Sequence, residues 1–330
     1  MRGFALPPYY HPTTLVLVDD SQSFLNSLER ALPRDWPVRS FVEPEDALAF
    51  LNTPPMRPSL AERCLSVEPQ PNGDPIIHFD AGLIEQEINH RERFERVSAA
   101  VIDYAMPSID GLELCAAIEQ GDLQRAMLTG VADEKVAVEA FNAGLLERFS
   151  SKQRLNSTTA MVEFMTEAKK GYFTRLGNRL LGSPALGAPT FLLEPAIASA
   201  VERLMAAHGL VEYYLVTDPP GLLLLNARGR LYRLLIRGAD EMPAQTALAE
   251  RLGAPTTIVS ELAAGKMLTY LWDTPEQDFG DSPFPWEEHL QPAEHVAGRS
   301  DWLIALVEDP PMDIDFNAAE SSFAAFLRER

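Results

Sequence analysis

The sequence has 330 residues, of which 46% are hydrophobic and 23% charged, so it has the composition of a folded globular protein and general disorder is excluded. At roughly 100–200 residues per domain, this length predicts about two domains. The 28 Lys and Arg against 48 Asp and Glu give a net charge of −20, divided evenly between residues 1–155 and 156–330. Neither half therefore has the basic surface with which proteins usually bind nucleic acid or anionic membranes.

The two cysteines and the N-terminus indicate the compartment. Cys64 and Cys115 are too few and too far apart for a disulfide framework, which suits a reducing environment. The first residues, MRGFALPPYYHP, lack the continuous apolar run of a signal peptide, and no run of 18 apolar residues follows. We expect a cytoplasmic protein with no membrane segment.

Short apolar runs alternate with helical patterns through the first half of the chain. The predicted strands are 14–18, 38–42, 99–102, 125–129 and 146–150, and the predicted helices are 24–32, 45–52, 111–119 and 132–143. This alternation predicts an α/β fold with a doubly wound, five-stranded parallel sheet.

Residues 54–98 are longer than a minimal unit of this kind needs. They begin with a Pro-rich loop, and an amphipathic helix is predicted at about 81–96. Two interpretations stay open for this insertion: an elaborated loop and helix packed on the sheet, or a surface for a partner or second protomer.

The second half has a different pattern. A long helix is predicted at 156–176, and a Gly- and Pro-rich loop ends near residue 189. Beyond it the predicted strands are 212–217, 221–226, 231–237, 267–272 and 301–307, and the predicted helices are 194–208, 243–252 and 256–264. Strands in succession predict an α+β domain with an antiparallel sheet. The predicted division is 12–155 with the insertion, 156–189 as helix and linker, and 190–330 as the second domain.

Polar residues follow the strands of the parallel sheet. Asp19 and Asp20 follow the first strand, Asp103 the third, Thr129 ends the fourth, and Lys152 follows the fifth. The carboxyl ends of parallel strands meet at one edge, so these side chains should converge. Three carboxylates would repel one another unless a cation neutralised them, and oxygen ligands favour Mg²⁺. A hydroxyl and an ammonium complete a site suited to a phosphoryl group.

Four segments in this order resemble the receiver domain of bacterial two-component response regulators. They are VLVDDS at 16–21, VIDYAMPSIDG at 101–111, LTG at 128–130 and FSSK at 149–152. The resemblance implies a flavodoxin-like fold and an Asp103 that accepts phosphoryl from a sensor histidine kinase or phosphotransfer protein.

The same resemblance assigns the other residues of the site. It implies Mg²⁺ bound by Asp19, Asp20, Asp103 and the backbone carbonyl of Ala105. Thr129 and Lys152 would bind phosphoryl oxygens, and Phe149 stands where the family has its aromatic switch.

The chain departs from the family pattern at several positions. Gln153 follows Lys152 where the family usually has proline, so a cis peptide is not expected there. Ala105 and Val131 offer no polar side chain to orient an attacking water, and this predicts slow self-dephosphorylation.

The second domain carries no independent enzyme motif, so its output stays open. The segment from Asp218 through GLLLLNARGRLYRLLI is similar to the opening hairpin of a PAS-like domain or to any antiparallel hairpin. Over most of its length the chain also resembles a group of response regulators, some of them linked to quorum-sensing kinases. This resemblance is carried mainly by the segments FERVSAAVIDYAMPSIDGLELC and EYYLVTDPPGLLLLNARG. The leading hypothesis is an output that binds a downstream protein or small ligand, with a possible homodimer. The alternatives are a transcription regulator with an unusual DNA-binding module and an enzymatic output.

Overall fold

The structure is a computed structural model, and it describes residues 4–68, 76–130, 134–154, 157–182, 188–271, 284–311 and 314–330. In chain order the strands are β1 Tyr9–Tyr10, β2 Thr14–Val18, β3 Val38–Phe41, β4 Leu65–Glu68, β5 Ile76–Phe79, β6 Val97–Asp103, β7 Gln124–Thr129, β8 Arg148–Ser151, β9 Leu210–Thr217, β10 Pro220–Asn226, β11 Leu231–Gly238, β12 Met267–Thr269, β13 Leu290–Pro292, β14 Glu294–Ala297 and β15 Asp301–Glu308. The α-helices are α1 Gln22–Ala31, α2 Pro44–Leu51, α3 Leu60–Cys64, α4 Gly82–Gln86, α5 Gly111–Ala117, α6 Glu134–Asn142, α7 Thr158–Leu181, α8 Pro195–His208, α9 Met242–Arg251, α10 Thr256–Ala263, α11 Ala318–Ser321 and α12 Phe323–Arg328.

The predicted parallel sheet is confirmed. Within the described ranges its strand order is β3-β2-β6-β7-β8, and every neighbouring pair is parallel. Alternate residues of β2 enter opposite cores, Val16 and Val18 on one face and Leu15 and Leu17 on the other. Helices cover both faces, which explains why the strand sequences are continuously apolar.

The insertion contains more regular structure than its sequence predicts. The Pro-rich part holds the short helix α3 and an antiparallel hairpin of β4 and β5. The helix predicted at 81–96 is broken: α4 is followed by 3₁₀ turns at Glu87–Asn89 and Arg91–Glu95. The amphipathic pattern therefore identified a helical segment but not its interruption near His90.

A second, antiparallel sheet lies in the later part of the chain, as predicted. Its order among the described strands is β1-β9-β10-β11-β15-β14. The hairpin between β10 and β11 turns at Gly229, whose φ of +83° favours glycine. The edge strand β1 comes from the N-terminus, where no strand was predicted, and pairs Tyr9 with Tyr214.

The chain forms two compact units, and each contains three stretches of sequence. The unit with the parallel sheet consists of His11–Glu62, His90–Leu180 and Phe326–Arg330. The unit with the antiparallel sheet consists of Met1–Tyr10, Arg63–Asn89 and Leu181–Ala325. The units are thus interleaved along the chain, whereas the sequence predicts domains that follow one another in chain order.

The long helix α7 belongs to the unit with the parallel sheet. It is longer than the predicted 156–176, and Met161, Met165 and Ala168 pack in the core with Leu15 and Leu17. This helix therefore contributes to the core of that unit.

Candidate functional site

Four strands bring polar side chains to the carboxyl edge of the parallel sheet. Asp103 is the last residue of β6 and Thr129 the last residue of β7. Asp19 directly follows β2, and Lys152 directly follows β8. Asp103 is only 5% exposed and Asp19 is buried as well, so the two carboxylates lie at the base of the site.

Lys152 joins the two buried carboxylates. Its Nζ lies 2.8 Å from Asp19 Oδ2 and 2.9 Å from Asp103 Oδ2. The ammonium also lies 4.6 Å from the centre of the Phe24 ring, which is a cation–π distance. The lysine is therefore held between the two aspartates by contacts on more than one side.

The third carboxylate makes this group a candidate metal centre. One oxygen from each of Asp19, Asp20 and Asp103 lies within 4.8 Å of the others. Asp20 is exposed, so one side of the group opens to solvent. An oxygen-only donor set with an open side fits Mg²⁺, which keeps water ligands and accepts phosphate oxygens.

The hydroxyl of Thr129 is a buried polar atom without a partner. The residue is 0% exposed, and its Oγ1 makes no hydrogen bond to any described residue. The backbone N–H of Lys152 donates to the Thr129 carbonyl at 3.0 Å, which fixes the two residues beside each other. A buried hydroxyl left unpaired is costly, so this atom is suited to an oxygen that arrives in the site.

Burial changes the pKa values of Asp103 and Lys152. Burial raises the pKa of Asp103, although the hydrogen bond and charge of Lys152 oppose the rise. Burial alone would lower the pKa of Lys152, but its hydrogen bonds with Asp19 and Asp103 outweigh this and raise it. The Lys152 ammonium therefore opposes the effect of burial on the Asp103 carboxylate.

Local sequence fixes the loops around the site. A Cβ on Gly111 would lie 2.4 Å from the carbonyl oxygen of Asp103, so only glycine allows α5 to begin there. Asp110 caps α5 through the backbone N–H groups of Leu112 and Glu113. On the other side of the site, the N–H of Ser21 donates to Asp19 Oδ1 at 2.9 Å and orients that carboxylate.

The remaining predicted residues lie around this centre. Phe149 is half-buried in β8, and its ring is 6.1 Å from the Phe141 ring in an edge-on arrangement. Ala105 is exposed two residues after Asp103, whereas Val131 lies outside the described residues. No cis peptide precedes Gln153; among the described residues that geometry occurs at Asp218–Pro219.

Two contributors to the site were not assigned to it from the sequence. Phe24 is the first residue of the helix predicted at 24–32, and its ring lies against the Lys152 ammonium. Gly111 was noted only within a motif, and the need for glycine depends on how close α5 comes to β6. The signal for Phe24 is its position one helical turn after Asp20.

The fold and the arrangement of Asp19, Asp103, Thr129 and Lys152 define a CheY-like receiver domain. No family model and no curated protein sequence matches the chain. Among solved structures, the chain is similar to the response regulator LqsR of Legionella pneumophila, with a TM-score of 0.81 and 26% identity. The match covers 99% of this chain and 97% of LqsR. Over nearly its whole length the chain therefore resembles a two-component response regulator, in which a receiver domain is accompanied by an atypical C-terminal domain.

Shorter structural matches cover about half of the chain. They include the receiver domain of an HD-domain protein from Pseudomonas fluorescens, at 19% identity and a TM-score of 0.33, over 49% of this chain and 97% of that one. A CheY-like receiver protein from Methanospirillum hungatei matches at 17% identity and a TM-score of 0.33, over 50% of this chain and 98% of that one. In the part of the chain that the structure describes, no helix is both long and apolar enough to span a bilayer.

Proposed function

We propose that this response regulator accepts a phosphoryl group on Asp103 from a sensor histidine kinase or a phosphotransfer protein. The observation that supports this most is the pairing of Lys152 with Asp103 at 2.9 Å beside the unpartnered hydroxyl of Thr129. One group neutralises negative charge and the other donates a hydrogen bond, as an incoming phosphoryl group requires.

The reaction is a transfer between two covalent carriers. A carboxylate oxygen of Asp103 attacks phosphorus, a P–O bond forms, and the P–N bond to the donor histidine breaks. The imidazole leaves with the electron pair of that bond and takes up a proton. Lys152 then moves its interaction from the free carboxylate to a phosphoryl oxygen, and Thr129 Oγ1 donates to another.

Asp19, Asp20 and Asp103 fit the role of holding Mg²⁺, with the Ala105 carbonyl as a further oxygen ligand. Such an ion supplies positive charge against the phosphoryl oxygens. Within the protein, Asp19 is already oriented by the N–H of Ser21, so the donor set is partly organised before any ion binds.

Phosphorylation would be read out by the rest of the chain. Loss of the Lys152–Asp103 ion pair and engagement of Thr129 change the end of β7 and β8, and Phe149 in β8 is the proposed switch. We assign the C-terminal domain the binding of a downstream protein or a small ligand in the cytoplasm, with a homodimer as the proposed assembly. The even acidic charge of the chain supports this over binding to DNA.

The test is labelling of the purified full chain with radioactive acetyl phosphate in the presence of Mg²⁺. We expect incorporation into the wild type, sensitivity of the label to hydroxylamine as an acyl phosphate, and none in Asp103→Asn. Asp46→Asn is the matched control, because Asp46 is an exposed carboxylate in α2 of the same unit. Undiminished labelling of Asp103→Asn would contradict the proposal.

The same labelled protein tests the lifetime of the phosphoryl group. Because Ala105 carries only a methyl group, it cannot orient a water molecule toward the acyl phosphate. We therefore expect slow loss of label after the donor is removed. Loss within seconds would contradict this part of the proposal.

A further inference from the structure

Two arginines of the C-terminal domain are buried on one strand. Arg233 is 0% exposed and Arg237 is 9% exposed, both in β11. Their spacing of four residues places both side chains on the same face of the sheet. Long cationic side chains are rarely buried this deeply unless a charged group accompanies them.

The register shows which face this is. Leu235 lies between the two arginines and packs with Leu303, Ala305 and Tyr270 in a hydrophobic core. The arginines are therefore on the covered face of the antiparallel sheet and not on its solvent side. They are an interruption of an apolar layer.

The start of β10 makes room for these side chains. A Cβ on Gly221 would clash with the carbonyl oxygen of Leu234 and would also lie 3.1 Å from Arg233 Nη1, so glycine is needed where the guanidinium comes close to β10. Arg233 donates to the carbonyls of Leu234 and Pro219, and Arg237 Nη1 donates to the carbonyls of Pro220 and Ile236. Both guanidinium groups thus meet at the turn between β9 and β10.

Backbone carbonyls accept from some of the N–H groups, but no described carboxylate pairs directly with either charge. Each guanidinium has five N–H donors, and Arg237 uses only Nη1 for its bonds to described residues. The charges of Glu85 and Asp218 act on Arg233, and those of Glu241 and Asp218 act on Arg237, without direct contact. Burial lowers the pKa of Arg233 to about 10, and it also lowers the pKa of Arg237. Keeping two such cations in a protein interior is costly without an anion.

We propose that Arg233 and Arg237 form the anion-binding end of a small-molecule site in the C-terminal domain, which takes the carboxylate or phosphate group of a small organic anion. The planar guanidinium matches both groups, because its paired N–H donors fit two oxygens at once. Tyr270 belongs to the same hydrophobic cluster as Leu235, which lies between the two arginines on this face of the sheet. The negative charge of Glu85 acts on Arg233 and would limit the affinity of the site for the anion.

Isothermal titration of the full chain with sodium phosphate and, separately, sodium succinate tests this site at constant ionic strength. We expect saturable binding of at least one probe, and comparison of the two distinguishes phosphate from carboxylate preference. Replacing Arg237 by glutamine removes charge-assisted hydrogen bonds and should weaken binding about 10- to 100-fold. Arg237→Lys keeps the charge but not the paired donors and should give an intermediate affinity.

The matched control is Arg203→Gln, an exposed arginine of the same unit that pairs with Glu294 on the surface. It should bind the probe as the wild type does, and circular dichroism should show that each variant is folded. Glu85→Gln removes the opposing charge and should tighten binding. Asp103→Asn should leave the affinity unchanged, so failure of the receiver mechanism is recognised separately from failure of this site.

Equal affinities in the wild type, Arg237→Gln and Arg203→Gln would mean that the probe binds elsewhere and would overturn the proposal. Absence of saturable binding of either probe in the wild type would also overturn it. A large loss of stability in Glu85→Gln would overturn it as well. That result would show that Glu85 is the internal counter-ion of the arginines.

Discussion

Lys169 in α7 offers a test of how the receiver unit tolerates a buried charge. The residue is 3% exposed, and its Nζ lies 4.2 Å from the centre of the Trp36 ring. Burial lowers its pKa from 10.5 to about 8, although the charge of Asp35 opposes this. Met has a similar unbranched stem and no charge, so Lys169→Met keeps much of the packing and removes the buried ammonium.

The magnitude follows from the two pKa values. The folded state holds the proton of Lys169 less tightly than the unfolded chain, so below pH 8 both states are charged and the folded state bears the cost of burial. The difference between 10.5 and about 8 corresponds to about 3 kcal/mol. Between these values the unfolded chain binds more protons, so this contribution to wild-type stability rises with pH. Loss of the cation–π contact with Trp36 offsets part of the gain from Lys169→Met.

We would measure the free energy of unfolding in urea for the wild type and Lys169→Met, at neutral pH and at about pH 9.5. The variant should be more stable than the wild type at neutral pH, and this difference should shrink by about 2 kcal/mol at the higher pH. Lys170→Met is the matched control, because Lys170 is the next residue of the same helix and is exposed. It should change little at either pH. A Lys169→Met protein that is less stable than the wild type at neutral pH, or whose advantage does not depend on pH, would refute the reasoning.

Two further predictions concern buried groups of the same unit. Burial, together with the charges of nearby cations, lowers the pKa of His11 from 6.5 to about 3. The unfolded chain therefore binds more protons between these pH values, and the wild type loses about 2 kcal/mol of stability from neutral pH to about pH 5. His11→Gln should remove this part of the pH dependence of stability in urea unfolding, and an unchanged pH dependence would contradict the assignment. Thr129→Val replaces an unpartnered buried hydroxyl by a methyl group and should stabilise the unmodified protein by about 1 kcal/mol while slowing the labelling of Asp103; lower stability combined with wild-type labelling would contradict both expectations.

The residues of the candidate site could be predicted because each is recognised from the short stretch of sequence around it. Asp19, Asp103, Thr129 and Lys152 each stand at the end of an apolar run, and parallel strands place such ends at one edge. The lysine bridge between two aspartates could not be predicted from the same pattern, because it depends on the paths of the loops. The ring of Phe24 against the lysine was missed for the same reason.

The arginines of β11 show why alternation of polar and apolar residues does not by itself predict which face of a strand is buried. In LYRLLIR the polar residues at 233 and 237 share one face, which by alternation would be interpreted as facing solvent. The structure covers that face with Tyr270 and its neighbours. Alternation records which residues share a face, but only long-range packing decides whether the face meets water.

The interleaving of the two units could not be predicted from sequence patterns taken in chain order. A two-residue strand such as β1 has too little pattern to be recognised, and it is stabilised only by pairing with β9 from distant sequence. The insertion was also recognised by its length, but nothing local indicates that Arg63–Asn89 packs within the other unit.

This interleaving determines which pieces of the chain have a complete core. A fragment that ended at residue 155 would lose Met161, Met165 and Ala168 of α7 from one face of the parallel sheet. A fragment that began at residue 190 would lose the edge strand β1 and the helix α4, which both pack with β9. Each such fragment would expose apolar surface that the full chain buries, and at about 25 cal/mol per Å² this loss is large compared with the stability of a domain. Each unit is therefore assembled from separate stretches of the chain, and a cut at residue 155 or at residue 190 does not yield a piece with a complete core.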